Sequence, residues 1–251
     1  MTNFRPTILR FDSLPSTNTE AARQALRGAP EGLCIIAREQ TAGRGRQGRA
    51  WISPPGAGLY CSLVLHPRIA VRHWPVITLM TAVAVHDALL ETYKLATDIK
   101  WPNDIYMRGR KLCGILAETV EAETKRAVIV GIGINLSDRA FPQDLRDVAI
   151  SIEAATGSEA DIESLLHSLL GQVACFYQEL NAPEGVKNIL CEWAARSSYA
   201  RGRRVRVTLI NETLEGRTCG LEPDGALRVE TDDGRIKIVR AGDVLALRNE
   251  E

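Results

Sequence analysis

Seven consecutive residues, Gly43-Arg44-Gly45-Arg46-Gln47-Gly48-Arg49, hold three arginines and three glycines, and Trp51 follows them. Guanidinium groups are planar forks of donors that match pairs of carboxylate or phosphate oxygens. Glycines let the backbone approach a ligand closely and adopt left-handed conformations. The chemistry these residues suit is the holding of an anion, above all a phosphate. Two plainer readings compete, a solvated loop and an RNA-binding Gly-Arg tract. The segment does not repeat and lies between two strand-like runs, which favours a loop folded over a phosphate. It is not a Walker loop, since no Gly-Lys-Ser/Thr follows. The Gly43-x-Gly45-x-x-Gly48 spacing matches a dinucleotide fingerprint formally, but its arginines are foreign to that motif and no β-α-β unit is expected around it.

Three further segments carry reactive or ligand-facing types: Lys100-Trp101-Pro102-Asn103-Asp104, the run Arg110-Lys111-Leu112-Cys113-Gly114-Ile115-Leu116, and Gly131-Ile132-Gly133-Ile134-Asn135. A glycine inside a strand has no side chain to pack and marks a close approach of backbone or ligand. Gly114, Gly131 and Gly133 are three such positions on runs expected side by side.

The elements that must position these groups follow from periodicity. Thr17 and Glu20 fit a capping box that opens a helix ended by Gly28. Strand-like runs cover Leu33–Arg38, Leu59–His66, Ile99–Met107, Leu112–Val120 and Ala127–Leu136. A turn at Met107-Arg108-Gly109-Arg110 makes a hairpin of the third and fourth. Pro75–Tyr93 reads as a long core helix, its apolar run broken by Thr78, Thr81, His86 and Asp87 and therefore no membrane span. Asp161–Leu180 is amphipathic, with apolar residues at helical spacing. From about Arg203 short strands alternate with turns at Pro223-Asp224-Gly225 and Asp232-Asp233-Gly234. Arg201, Arg203, Arg204 and Arg206 read as a solvated strand face. The expected fold is α+β, a mixed sheet flanked by helices, with a small C-terminal SH3-like β-barrel and a boundary near residues 197–202.

Lys plus Arg and Asp plus Glu both count 31, so the net charge is zero and any phosphate site must be a local cluster. The six cysteines contain no Cys-x-x-Cys pair, and the four histidines show no ligand spacing. That argues against a metal cage or a disulfide framework and for a reducing, cytoplasmic compartment. The first residues lack the apolar stretch of a signal peptide.

Taken in order, Ser16-Thr17-Asn18, Glu39 to Trp51, Lys100 to Asp104, Lys111 to Leu116 and Gly131 to Asn135 resemble the motif set of biotin protein ligases. The likeness spans residues 13–248. It implies a class II synthetase-like, biotin/lipoate ligase type of fold, with a catalytic domain over 1–199 and an SH3-like domain over 200–251. It implies an enzyme that uses biotin and ATP, with Mg²⁺, to make biotinyl-5'-AMP. The biotinyl group then passes to a lysine on the biotin carboxyl carrier domain of acetyl-CoA carboxylase or a related carboxylase. Bifunctional members carry an N-terminal helix-turn-helix domain; only fifteen residues precede Ser16 here, so the resemblance implies no sequence-specific DNA binding. A homodimer stays open.

The resemblance also implies roles. Lys111, Arg46 and Asp104 are the catalytic candidates. Lys111 bridges the carboxylate and the α-phosphate, and Asp104 is a candidate base or orienter for the acceptor ammonium. Biotin contacts fall to Ser16, Thr17, Asn18, Gln40, Gly43, Arg44, Gly45, Arg46, Lys111 and Gly114. ATP contacts fall to Arg44, Arg46, Arg49, Trp51, Lys100, Asn103, Lys111 and Asn135. The Gly-Arg loop closes over the adenylate and keeps water from it. Lipoate ligase-like chemistry and a nucleic-acid binding module are the rival readings; a biotin sensor without catalysis is disfavoured by Lys111.

Overall fold

The computed structural model describes residues 4, 6–121, 126–139, 141–209 and 212–247. Along the chain run β1 (Thr7–Leu14), α1 (Thr17–Leu26), β2 (Leu33–Gln40), β3 (Gly58–Leu65), α2 (Pro75–Tyr93), β4 (Asp98–Lys100), β5 (Asp104–Met107), β6 (Arg110–Glu121) and β7 (Arg126–Asn135). The helices α3 (Ile152–Thr156), α4 (Ile162–Leu180) and α5 (Gly185–Arg196) follow. The strands β8 (Arg201–Thr208), β9 (Thr213–Leu221), β10 (Leu227–Glu230), β11 (Ile236–Val239) and β12 (Asp243–Ala246) end it.

The first seven strands form one sheet in the order β1-β2-β3-β7-β6-β5-β4. Only β1 and β2 are parallel, with α1 as their crossover; the other neighbours are antiparallel. A β-α-β unit thus directly precedes the Gly-Arg loop, contrary to the sequence expectation. The loop follows its second strand rather than sitting between first strand and helix, so a dinucleotide fingerprint stays excluded. The last five strands make a separate antiparallel sheet, ordered β11-β10-β9-β8-β12, compatible with the SH3-like description.

Strand residues alternate between two cores. Cys34, Ile36, Leu63, Leu65, Val128 and Val130 face α2, α4 and α5. Leu33, Ile35, Val64, Ala127 and Ile129 face α1. α2 is buried nearly all round, which explains why its apolar run passes for a membrane segment by length and composition. α4 begins at an Asp161 N-cap that accepts from Glu163 and Ser164 N–H, and Gly28 (φ 85°) follows the end of α1.

Three sequence expectations need correction. The helix cap is Ser16, whose Oγ accepts from Thr19 N at 3.5 Å; Thr17 is already helical and Glu20 pairs with Arg23, so the capping box is absent. The run Ile99–Met107 is two strands, broken where Pro102 has no N–H to give a ladder. β1 and α5 were not expected at all. The arginines at the start of the tail lie on a largely exposed strand face, as expected, where Arg204 pairs with Asp232 and Arg206 with Glu215, each at 2.7 Å, and Arg203 lies over the Tyr199 ring. The sequence pattern places the first tail strand over residues 205–210, of which residue 210 lies outside the described residues.

The two sheets are keyed together by the buried Trp101, whose Nε1 donates to Gly225 O at 2.9 Å. Trp193 of α5 is fully buried in the larger core. Trp193→Ala should cost about 3–5 kcal/mol, to be read by urea unfolding followed by circular dichroism; a loss below about 1 kcal/mol would mean that α5 does not complete this core.

Candidate active site

The α1 face of the sheet carries Ala127 and Ile129 on β7, then Gly131 and Gly133 where α1 no longer covers it. Gly133 sits opposite Gly114 of β6. A Cβ on Gly133 would stand 2.5 Å from the Trp51 ring, and one on Gly114 2.9 Å from it. A Cβ on Gly131 would collide with the Asn18 amide. The strand glycines thus admit two side chains, Trp51 and Asn18, onto bare backbone, and a cavity opens between them.

One end of the cavity is polar. Gln40 Oε1 accepts from Thr17 N at 2.8 Å and from Thr17 Oγ1 at 3.1 Å, while its Nε2 donates to Ser53 Oγ at 2.9 Å. The buried Ser62 Oγ stands 2.7 Å from Thr17 Oγ1 and 2.6 Å from Asn18 Oδ1. Asn18 Nδ2 donates to Glu118 Oε2 at 2.7 Å and Leu116 O at 3.2 Å. The network fixes the first turn of α1 at the cavity, with Thr17 N held by Gln40 and Thr19 N by Ser16.

The other end is cationic. Lys111 Nζ lies 2.7 Å from Asp104 Oδ1 and 5.4 Å from the Trp51 ring centroid. The approach to Asp104 is close but off-axis for a hydrogen bond, so that carboxylate oxygen is buried with an ionic contact alone. Arg46 Nη1 donates to Asn103 Oδ1 at 3.1 Å, and Asn103 Nδ2 to Ile115 O at 2.9 Å. Burial lowers the proton affinity of Arg46, with Asp104 opposing, yet a guanidinium keeps its charge. Arg44 pairs with Glu118 at 3.2 Å. Arg49 pairs with Asp243 of β12, and Asp243 itself lines the cavity, so the small sheet contributes to the site.

The Gly-Arg segment is folded over this end rather than extended. Gly45 N donates to Arg49 O at 2.7 Å and Trp51 N to Gly43 O at 2.9 Å. Gln47 (φ 57°) and Gly48 (φ 73°) take the left-handed turn between them.

Of the residues singled out from sequence, Ser16, Thr17, Asn18, Gln40, Arg44 and Gly45 line the cavity. So do Arg46, Arg49, Trp51, Asn103, Asp104, Lys111 and Gly114. Three do not. Gly43 is packed beneath the Trp51 carbonyl and Ser53. Asn135 spends its amide on Lys111 O and Ile150 O, at 3.3 and 3.2 Å. Lys100 faces a different cleft, donating to Tyr106 Oη at 3.2 Å above that ring, where burial lowers its pKa. Sequence reasoning missed Ser62, Glu118 and Asp243. Glu118 shares a face with Gly114 by period two, which was a usable signal; nothing in the sequence pointed to Asp243. Among the described residues no cluster of three His, Cys, Asp or Glu side chains could hold a metal.

A seven-stranded mixed sheet thus bears a cavity that is polar at one end and cationic at the other, a site built for an anionic small molecule. Residues 10–135 match the Biotin/lipoate A/B protein ligase family and residues 201–246 the Biotin protein ligase C terminal domain. The bifunctional ligase/repressor BirA of Bacillus subtilis (strain 168) is 38% identical over 241 residues, 93% of this chain and 72% of that protein. The biotin--[acetyl-CoA-carboxylase] ligase of Paracoccus denitrificans is 34% identical over 91% of this chain and 96% of its own. The solved biotin protein ligase from Aquifex aeolicus in complex with biotin and ATP superposes with a TM-score of 0.83 at 27% identity, covering 97% of this chain and 99% of that one. The chain belongs to the biotin/lipoate protein ligase family, in its biotin protein ligase branch.

Gly133→Ala should lift Trp51 off the sheet and cost about 1–3 kcal/mol. The Trp51 emission should shift to the red, and the shift should vanish in a Trp51→Phe background; unchanged emission would place the indole elsewhere.

Proposed function

We propose that this chain activates biotin as biotinyl-5'-AMP and transfers the biotinyl group to a lysine of a biotin carboxyl carrier domain. The observation that carries this reading is the position of Lys111. It stands beside Asp104 with its Nζ 5.4 Å from the Trp51 ring centroid, at the opposite end of the cavity from the Gln40–Thr17 network. Biotin's ureido group takes the polar end, where Ser16, Thr17, Asn18 and Gln40 must match each of its donors and acceptors. Its carboxylate then points at Lys111.

A carboxylate oxygen attacks the α-phosphorus, an O–P bond forms, and pyrophosphate leaves with the electrons of the broken bond. Two anions meet in that step, so the cations Lys111 and Arg46 lower its barrier by electrostatic stabilisation. Arg44 and Arg49 neutralise phosphate oxygens, Asn103 holds Arg46, and Trp51 walls the nucleotide side. Lys100 and Asn135 support the site from outside the cavity. Mg²⁺ would arrive with ATP and supply counter-charge to its phosphates, with no dedicated cage of side chains among the described residues. Residues 1–199 form the catalytic domain and 200–251 the tail domain, which supplies Asp243. The zero net charge argues against nucleic acid as a partner, and the six free thiols suit the cytoplasm.

Biotin-dependent exchange of pyrophosphate into ATP tests the first half, with lipoate as the contrasting acid. Mass gain on a carrier domain tests the second. Exchange with lipoate but not biotin would overturn the reading. Lys111→Ala should cut exchange roughly 100-fold or more; normal exchange removes Lys111 from the mechanism. Arg46→Gly should let adenylate escape, so labelling of bystander lysines rises; an unchanged labelling pattern would refute loop closure.

A further inference from the structure

Glu118 bonds with one oxygen to both ends of the active-site cavity. Its Oε2 accepts from Asn18 Nδ2 at 2.7 Å and from Arg44 Nη2 at 3.2 Å. Asn18 belongs to the first turn of α1 and to the polar end; Arg44 opens the Gly-Arg loop and belongs to the cationic end. Both partners line the cavity and Glu118 itself does not. By period two Glu118 shares the sheet face of Gly114, Leu116 and Val120, and on β7 it is opposite Ile129 of the core beneath α1. A carboxylate at the margin of an apolar cluster is costly to desolvate unless its oxygens are bonded.

Both partners are oriented by further contacts. Asn18 Oδ1 lies 2.6 Å from Ser62 Oγ, while Nδ2 faces two acceptors, Leu116 O and the Glu118 carboxylate. Arg44 uses Nη2 for Glu118 and, at 3.5 Å, for Thr19 Oγ1. Its Nε and Nη1 have no protein partner among the described residues and remain for the oxygens of a bound molecule.

We propose that Glu118 is a positioning residue that ties the first turn of α1 to the Gly-Arg loop, so that the polar and cationic ends of the cavity are held in one arrangement. The roles of those ends, for the ureido group and the phosphates, rest on the function proposed above. Glu118 touches neither ligand and acts through Asn18 and Arg44. Because the anchor is shared, loss of one carboxylate loosens two segments that are distant along the chain. A neutral amide at this position still accepts from Asn18 but offers Arg44 no charge, and so separates the two contacts.

Hydrogen exchange of the full chain without ligand, read by mass spectrometry, tests the tie. In Glu118→Ala the amides of residues 17–26 and of residues 43–51 should each exchange roughly fivefold faster or more, with the other peptides within about twofold of the unsubstituted protein. In Glu118→Gln only residues 43–51 should accelerate, about threefold. Acceleration of one segment alone in Glu118→Ala, or of neither, overturns the tie. So does an equal rise along the whole chain, which would make Glu118 a general stabiliser. Should Glu118→Ala not fold, Glu118→Gln decides alone, and an unchanged loop overturns the tie. In biotin-dependent pyrophosphate exchange, Glu118→Ala should raise KM for biotin and KM for ATP roughly fivefold or more each, while kcat falls by less. A rise in one KM alone counts against the proposal in the same way. If the unsubstituted protein shows no exchange with biotin, the proposed function itself fails, and the ligand-free measurement still decides whether Glu118 joins the two segments.

Discussion

The Trp51 indole rests on two strands that have no side chains beneath it. Gly114 and Gly133 face each other across β6 and β7, and the space their missing Cβ atoms leave is taken by the ring. Everything on the cationic side follows from that contact. The Gly-Arg segment is anchored at its far end by Trp51 and at its near end by Gly43, whose carbonyl accepts from Trp51 N. The turn so closed sets Arg46 against Asn103 and sends Arg49 toward Asp243. The same device works at Gly131, where Asn18 lies on bare backbone and brings the start of α1 to the sheet. Close packing leaves such contacts little slack, because interiors are dense and a single methyl group is felt.

Much of this was legible in the sequence because the residues involved are unusual where they stand. Glycines inside β6 and β7 and arginines alternating with glycines after β2 are poor choices for an ordinary strand or loop, and they stood out for that reason. Lys111, by contrast, is ordinary beside a hairpin turn and was singled out by the resemblance. The central helix was equally readable, and Pro75–Tyr93 matches α2 residue for residue. β1 was not readable: as an edge strand it is mostly exposed and shows no alternation of apolar and polar residues. α5 lacks a start signal: Glu184 at its N-cap makes no side-chain hydrogen bond to the helix, whereas Ser16 caps α1 and Asp161 caps α4. The helix cap was misplaced by one residue because Thr17, a good cap by type, is drawn instead to Gln40 and Ser62. Asp243 was invisible because its partner, Arg49, lies in a loop far away along the chain and no local rule connects them.

The division of labour across the sheet is also physical. One face, under α2, α4 and α5, is apolar core, opened only at the N-terminal end of α2. The other is core only as far as α1 reaches, and beyond it the side chains are glycine, amide, carboxylate and cation. Reactive chemistry is thus confined to the stretch of sheet that no helix covers, while the packed face keeps that stretch rigid. Trp101 extends the same frame to the small sheet through its bond to Gly225 O, so Asp243 is held in register with the loop it meets.

Three of the four cations at the cavity already have carboxylate partners: Lys111 with Asp104, Arg44 with Glu118 and Arg49 with Asp243. Any incoming anion must compete with these internal counter-charges. Chloride or sulfate from the medium offers a single small contact and would leave a carboxylate stranded, whereas a molecule presenting several oxygens along one chain replaces several partners together. Valence and shape jointly decide who enters. A scarce organic acid therefore faces little competition from abundant salts, and the resting site avoids the self-repulsion that a bare cluster of positive groups would impose.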